Sequence, residues 1–329
     1  MNSMDPPQPP HDAVPLHPVA TEVVAEWPPG TFLENLALDS DGESWLVTSP
    51  FDQTIHRVCR DGATETAAKF DQWVTGIVSH PQGPLAAVGT QGQAGWRLHR
   101  ITDGAAQAVC ELPGVLFANG MTWARGRLLV VDSLRSVVLA VDTAAGTSSV
   151  WLEHPLLTPV RPDSPMPGIN GIAVHDGWVV ITNTQRGLLL RVPVESPQPR
   201  RDLEVLAEGL SGDDLAIMPD GRIMVATHTF HSVLCLYPDG RREDIAGYDQ
   251  GVAGPTAVAV GPEATSTVYV STTGGLLSPP RDAVGPARLL RMDVSAAGRS
   301  ETQSAPDQLL QFRDAPASWD GTDPIRVRR

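Results

Sequence analysis

Lysine is nearly missing from this chain. Lys69 stands alone among 24 basic residues, which face 38 acidic ones for a net charge of −14. A nucleic-acid binder must neutralise phosphates with clustered Lys and Arg. No basic stripe is visible, so that class is excluded, and docking on an anionic membrane is disfavoured for the same reason. Cysteine is scarce as well: Cys59, Cys110 and Cys235 form no CxxC pair and are odd in number. Two of them sit in apolar strand-like runs, which predicts buried free thiols and fits a reducing, cytoplasmic setting. No apolar run approaches the ~18 residues of a membrane span. Residues 1–10 lack a basic segment followed by an apolar run, so no secretory leader is expected there. No stretch of about 15 residues carries helical periodicity, which turns the reading towards an all-β protein.

What the chain does have is turns, short apolar runs and repetition. Gly and Pro number 30 each. A five-residue strand start recurs six times: Glu34-Asn-Leu-Ala-Leu, Thr75-Gly-Ile-Val-Ser, Asn119-Gly-Met-Thr-Trp, Asn170-Gly-Ile-Ala-Val, Asp213-Asp-Leu-Ala-Ile and Thr256-Ala-Val-Ala-Val. The copies lie 41 to 51 residues apart, and the third position of each is apolar. A turn and a second run follow each copy, then a third run, and most units end in a fourth, more polar run. Six units of four short strands predict a six-bladed β-propeller. The orphan strand Thr21–Trp27 is expected to pair onto the sixth blade and close the ring, removing its open edges. The domain reading is a Pro-rich disordered tail over 1–17, a propeller over 18–297 and a surface tail over 298–329.

In a propeller the first strand of each blade lines the central channel. The first residues of the six copies therefore ring one mouth: Glu34, Thr75, Asn119, Asn170, Asp213 and Thr256. Second strands end at the same mouth and add a wider polar ring: Ser49, Thr90, Ser133, Asn183, His228 and Thr273. Two carboxylates and two carboxamides then converge on one axis. Acids crowded in a narrow channel repel one another and lose solvation, and a cation relieves both. The donors are hard oxygens, which suits Ca²⁺, then Mg²⁺ or Mn²⁺, and disfavours Zn²⁺. Asp214 reads either as a further ligand or as an acceptor of backbone hydrogen bonds.

These residues carry a resemblance. Glu34, Phe117-Ala-Asn119-Gly with Val131-Asp132-Ser133, Gly168-Ile-Asn170-Gly, Ser211-Gly-Asp213-Asp214 and Gly254-Pro-Thr256 resemble the SMP-30/gluconolactonase family of calcium-dependent six-bladed propellers, over roughly residues 18–295. The resemblance to paraoxonases is more distant. It implies that Glu34, Asn119, Asn170 and Asp213 are calcium ligands. Paraoxonase-like hydrolases place a His at the inner ring of blade two, where this chain has Thr75. The nearest titratable group on the active face is His228, with His231 and Asp132 beside it. His228 and Asp132 are therefore the expected catalytic pair, with Thr75, Asn183, His231, Thr256 and Thr273 as substrate contacts. Two connections, 154–169 and 274–286, combine Leu or Met with Pro and read as apolar covers for the mouth. Together these features imply a metal-dependent lactonase or esterase acting on a small, fairly apolar substrate. The alternatives are a non-hydrolytic cyclase built on the same pocket, and a protein-binding platform.

Overall fold

Short strands joined by tight turns build six four-stranded antiparallel sheets. The computed structural model describes residues 11–102, 105–164, 166–262, 266–279 and 283–298. Strand β1 (Thr21–Trp27) precedes the first blade. Blade 1 holds β2 (Leu36–Leu38), β3 (Trp45–Ser49), β4 (Thr54–Val58) and β5 (Thr64–Lys69). Blade 2 holds β6 (Trp73–Val78), β7 (Leu85–Gly89), β8 (Trp96–Thr102) and β9 (Ala105–Leu112). Blade 3 holds β10 (Ala118–Ala124), β11 (Arg127–Asp132), β12 (Val137–Asp142) and β13 (Thr147–Glu153). Blade 4 holds β14 (Ile169–His175), β15 (Trp178–Asn183), β16 (Leu188–Pro193) and β17 (Glu204–Glu208). Blade 5 holds β18 (Leu215–Ile217), β19 (Ile223–Ala226), β20 (Val233–Leu236) and β21 (Arg242–Ala246). Blade 6 holds β22 (Pro255–Val260), β23 (Thr267–Thr272) and β24 (Ala287–Asp293). Its fourth strand is β1, paired antiparallel to β24 from Thr21↔Met292 to Trp27↔Ala287. The N-terminal strand closes the ring, as its sequence predicts.

The core lies between blades rather than in one centre. Six hydrophobic clusters fill the six gaps between neighbours. A blade is therefore apolar on both faces, and its inner strands read as continuous apolar runs: β3 and β7 are buried throughout. The outermost strands meet water and turn polar, as in β13.

The inner edge carries a second set of fastenings. Thr48 Oγ1 donates to Thr75 O at 2.7 Å, and Thr75 Oγ1 donates to Ala118 O at 2.5 Å. Thr182 Oγ1 donates to Asp213 O at 2.9 Å, and Thr256 Oγ1 to Leu33 O at 2.8 Å. Each bond links one blade to the next. Pairing shifts register between Val74 and Ile77, Ala118 and Met121, and Ile169 and Ile172, so a bulge sits at three ring positions. The glycine after the ring residue is needed for close approach, not for a left-handed turn. A Cβ on Gly120 would lie 2.6 Å from Asn170 O, and one on Gly171 would lie 2.6 Å from Asp214 Cα.

Residues 11–17 differ from the expected disordered tail, whose first ten residues lie outside the described set. They lie along β21: Leu16 bridges Asp244 in parallel, Asp244 N donates to Pro15 O, and His17 N donates to Asp244 O. The outer edge of blade 5 has unpaired backbone groups, and this strap satisfies them. The C-terminal surface tail expected over 298–329 lies outside the described residues except for Gly298.

Beside this strap the Asp244 carboxyl accepts from Ser232 Oγ at 2.8 Å. Burial raises it from 3.8 to about 6. A carboxyl raised by folding favours the folded state when protonated, so stability is lost as pH climbs from about 4 through about 6. Asp244→Asn keeps an acceptor for Ser232 and is expected to add about 1–2 kcal/mol at about pH 8 and nothing at about pH 4. Urea unfolding at the two pH values checks this.

Candidate active site at the channel mouth

Strand direction brings all six inner-ring residues to one mouth, and all are buried: Glu34, Thr75, Asn119, Asn170, Asp213 and Thr256. Their side chains do not share one role. Asp213 is the hub. Asn170 Nδ2 donates to its Oδ1 in a short bond, and His228 Nδ1 meets its Oδ2 at 2.8 Å. Asn119 Oδ1 accepts from Asn35 Nδ2 at 3.4 Å. Glu34 is held well above the carboxylate range by burial first, then by the charges of Asp213 and Asp214. Asp214 is pushed up to about 7, again chiefly by burial, although Leu215 N and Val258 N donate to it. Of the two readings of Asp214, the observed contacts match the acceptor of backbone hydrogen bonds.

Two expected substrate contacts are corrected. Thr75 and Thr256 turn sideways, because their hydroxyls are engaged by carbonyls of the next blade. The wider ring is also largely committed. Asn183 Nδ2 donates to Leu156 O at 2.8 Å and to Thr158 O at 3.2 Å, pinning connection 154–169 to blade 4. Gln185 and Arg186 add bonds to Arg161 and Thr158, so this segment is anchored beside the mouth rather than swung across it. Thr273 Oγ1 donates to Gly254 O and accepts from Leu276 N. His231 Nδ1 accepts from Gly254 N at 2.9 Å, and its backbone takes a left-handed φ of 54°. These three residues hold loops. Connection 274–286 falls partly outside the described residues.

Asp132 is also corrected. Its carboxylate is fully buried and accepts from Leu116 N, Phe117 N and Arg135 N at 3.0 to 3.2 Å. Those bonds close the turn after β11 and commit both carboxylate oxygens to backbone donors. Two buried cysteines, Cys110 and Cys235, offer no nucleophile either. Burial raises the Cys110 thiol and pushes Cys235 up to about 12.

His228 is different. It begins one turn of 3₁₀ helix, His228–Phe230, after β19. Its Nδ1 is taken by Asp213, while Nε2 is buried without a hydrogen-bond partner. Among the described ring residues, only Ser133 Oγ shares that condition. A buried polar atom left unpaired in a folded protein calls for an explanation, and an open ligand position supplies one.

The fold has clear counterparts among solved structures. Regucalcin from Agrobacterium tumefaciens, a calcium-binding protein, aligns with a TM-score of 0.63 at 16% identity, covering 86% of this chain and 96% of that one. A gluconolactonase from Xanthomonas campestris aligns at 0.61 and 13% identity, covering 88% and 99%. This chain has the regucalcin–gluconolactonase fold. A luciferin-regenerating enzyme shares the propeller at 0.62 and 12% identity, covering 83% and 94%. No family model matches the chain. In sequence, the propeller is 21% identical over 312 residues to a putative hetero-Diels-Alderase from Phoma sp, covering 80% of this chain and 89% of that protein.

Among the described residues, no three His, Cys, Asp or Glu side chains form a metal-binding group by themselves. A bound cation therefore depends on the carboxamides of Asn119 and Asn170 joining Glu34 and Asp213. That donor set is all oxygen, and its buried, mutually repelling acids are what a hard cation relieves. Asn170 now points its N–H at Asp213, so its carboxamide must turn over to present oxygen. The donor set fits a hard cation once this carboxamide turns over.

Missed by the sequence reading were Asn35, which reaches Asn119, and the aromatic side chains Phe32, Phe51 and Trp73 at the same mouth. Phe32 stands two residues before Glu34, which is a usable signal. Phe51 lies in a turn and Trp73 at a strand start, where nothing in the local pattern marks them.

Proposed function

We infer that this propeller is a lactonase- or esterase-type enzyme acting on a small, fairly apolar substrate at the Asp213–His228 pair. The carrying observation is the buried, unpartnered Nε2 of an imidazole whose Nδ1 is fixed on a carboxylate. A carboxylate accepts and does not donate, so Nδ1–H donates to Asp213 and Nε2 keeps its lone pair. Nε2 can then take a proton from water as the water oxygen attacks the substrate carbonyl. The same nitrogen returns that proton to the departing alkoxide. Glu34, Asn119, Asn170 and Asp213 would hold a calcium ion, which when bound would polarise the carbonyl oxygen.

The test is a panel of aryl and alkyl esters and lactones, assayed after chelation and after calcium is restored. Hydrolysis that chelation removes and calcium restores supports the reading. A panel left wholly uncleaved overturns it. Calcium binding has its own readout. At about 100 times its Kd, calcium is expected to stabilise the protein by about 3 kcal/mol, or about 5–10 °C in melting temperature. Glu34→Gln is expected to lose that shift and yet to melt higher than the parent without calcium. It removes a buried acid that Asp213 and Asp214 repel. A parent melting point that ignores calcium would end the metal assignment.

A second reading is a cyclase that folds and polarises its substrate without hydrolysis. Two observations favour it: the sequence likeness to a putative hetero-Diels-Alderase, and the engagement of Thr75 in blade fastening, which leaves blade 2 without a second base.

A further inference from the structure

A line of rings leads away from the catalytic imidazole across the mouth. The Phe32 centroid lies 5.9 Å from that of His228, and the two planes are tilted by 48°. Phe51 follows at 4.8 Å from Phe32, and Trp73 at 5.5 Å from Phe51. These separations suit interacting aromatic rings. The line begins on blade 5, crosses to Phe32 before blade 1, and ends at the first residue of β6 in blade 2. Phe32 is buried at 8% exposure, Phe51 is the most open of the rings at 49%, and Trp73 is half-buried.

The outward rings are not alone. Leu134 at 49%, Val160 at 59% and Leu277 at 62% are exposed on connections at the same face of the ring. The axis is polar and acidic, and its surround is apolar. A half-exposed phenylalanine such as Phe51, one ring removed from the imidazole, gains when a ligand covers it.

We propose that Phe51 and Trp73, continued inward by Phe32, form a subsite for a flat, unsaturated part of the substrate, an aryl or conjugated polyene group. This rests on the catalytic reading above, because the line of rings ends at His228. A flat π-system can stack on tilted ring faces at every step of the line, whereas a puckered saturated ring of similar size meets them only at its hydrogens.

Calorimetric titration of the full chain with 2-acetamidonaphthalene and with its fully saturated decahydro analogue tests the subsite. Both probes are amides chosen to resist turnover, so the result stands even if no ester or lactone is ever cleaved. The naphthyl probe is expected to bind at least about tenfold tighter than the saturated one. Phe51→Leu and Trp73→Leu keep apolar volume and remove the ring. Each is expected to weaken the naphthyl probe about five- to tenfold and to change the saturated probe by less than about twofold. Phe51 is half exposed, so its variant keeps the test valid even where the Trp73 variant melts early. Equal affinity for the two probes, naphthyl binding that ignores both substitutions, or no binding up to the solubility limit would each overturn the proposal.

Discussion

His228→Gln is expected to lower ester or lactone turnover about 10²–10⁴-fold with little change in KM. Glutamine fills most of the imidazole volume and can still donate to Asp213 Oδ2, so the hub loses no partner. What it lacks is a basic nitrogen where Nε2 stands. The loss therefore reports proton transfer rather than collapse of the site. Steady-state kinetics on the best substrate of the panel, with the melting temperature as a control for folding, measures it. Asp213→Asn should fall by a similar factor, because its amide cannot hold Nδ1–H as a carboxylate does. Full hydrolytic activity in His228→Gln would remove the imidazole from the reaction. A cyclisation that survives the same substitution would move the weight to the second reading. It would then ask only that the pocket hold and polarise its substrate.

Asp132→Ala is expected to cost about 3–5 kcal/mol of stability while leaving the kcat of the folded protein within about threefold. The reason is geometric. Three backbone N–H groups, from Leu116, Phe117 and Arg135, converge on this one carboxylate in a site without water access. Alanine orphans all three, and each buried orphan costs about 1–3 kcal/mol when nothing replaces its acceptor. Asp132→Asn keeps one accepting oxygen and should lose only about 1–2 kcal/mol. Urea unfolding of the three proteins orders them, and kinetics on the folded fraction separates structure from chemistry. An alanine variant as stable as the parent but inactive would return Asp132 to the catalytic set.

The contrast between Asp132 and His228 shows how much of the site was legible. Both end or follow second strands at the mouth, both are titratable, and the sequence ranks them together. They differ in what meets their polar atoms. Asp132 is taken by the turn it closes, with partners three to sixteen residues away. His228 is taken on one side only, by Asp213, which stands two residues before β18. The same division runs through the ring. Asn183 faces a connection that begins thirty residues earlier, and Thr75 faces the carbonyl of a residue in the next blade. Phe51 in its turn and Trp73 at the start of β6 carry no periodic signal that marks them for the mouth.

Six blades, their strand order, closure by the first strand and the positions facing the mouth were readable from the sequence. All of them follow from local patterns: apolar runs of strand length, turn residues at their ends, and repetition every 41 to 51 residues. Backbone pairing obeys those patterns whatever the distant neighbours are. The direction of each ring side chain was decided only in the tertiary structure. A hydroxyl or carboxamide goes to the best acceptor within reach, and in a propeller that acceptor belongs to the next blade or to a returning loop. Thr75 and Thr256 therefore became fastenings and Asn183 a loop anchor, while His228 kept one nitrogen without a partner.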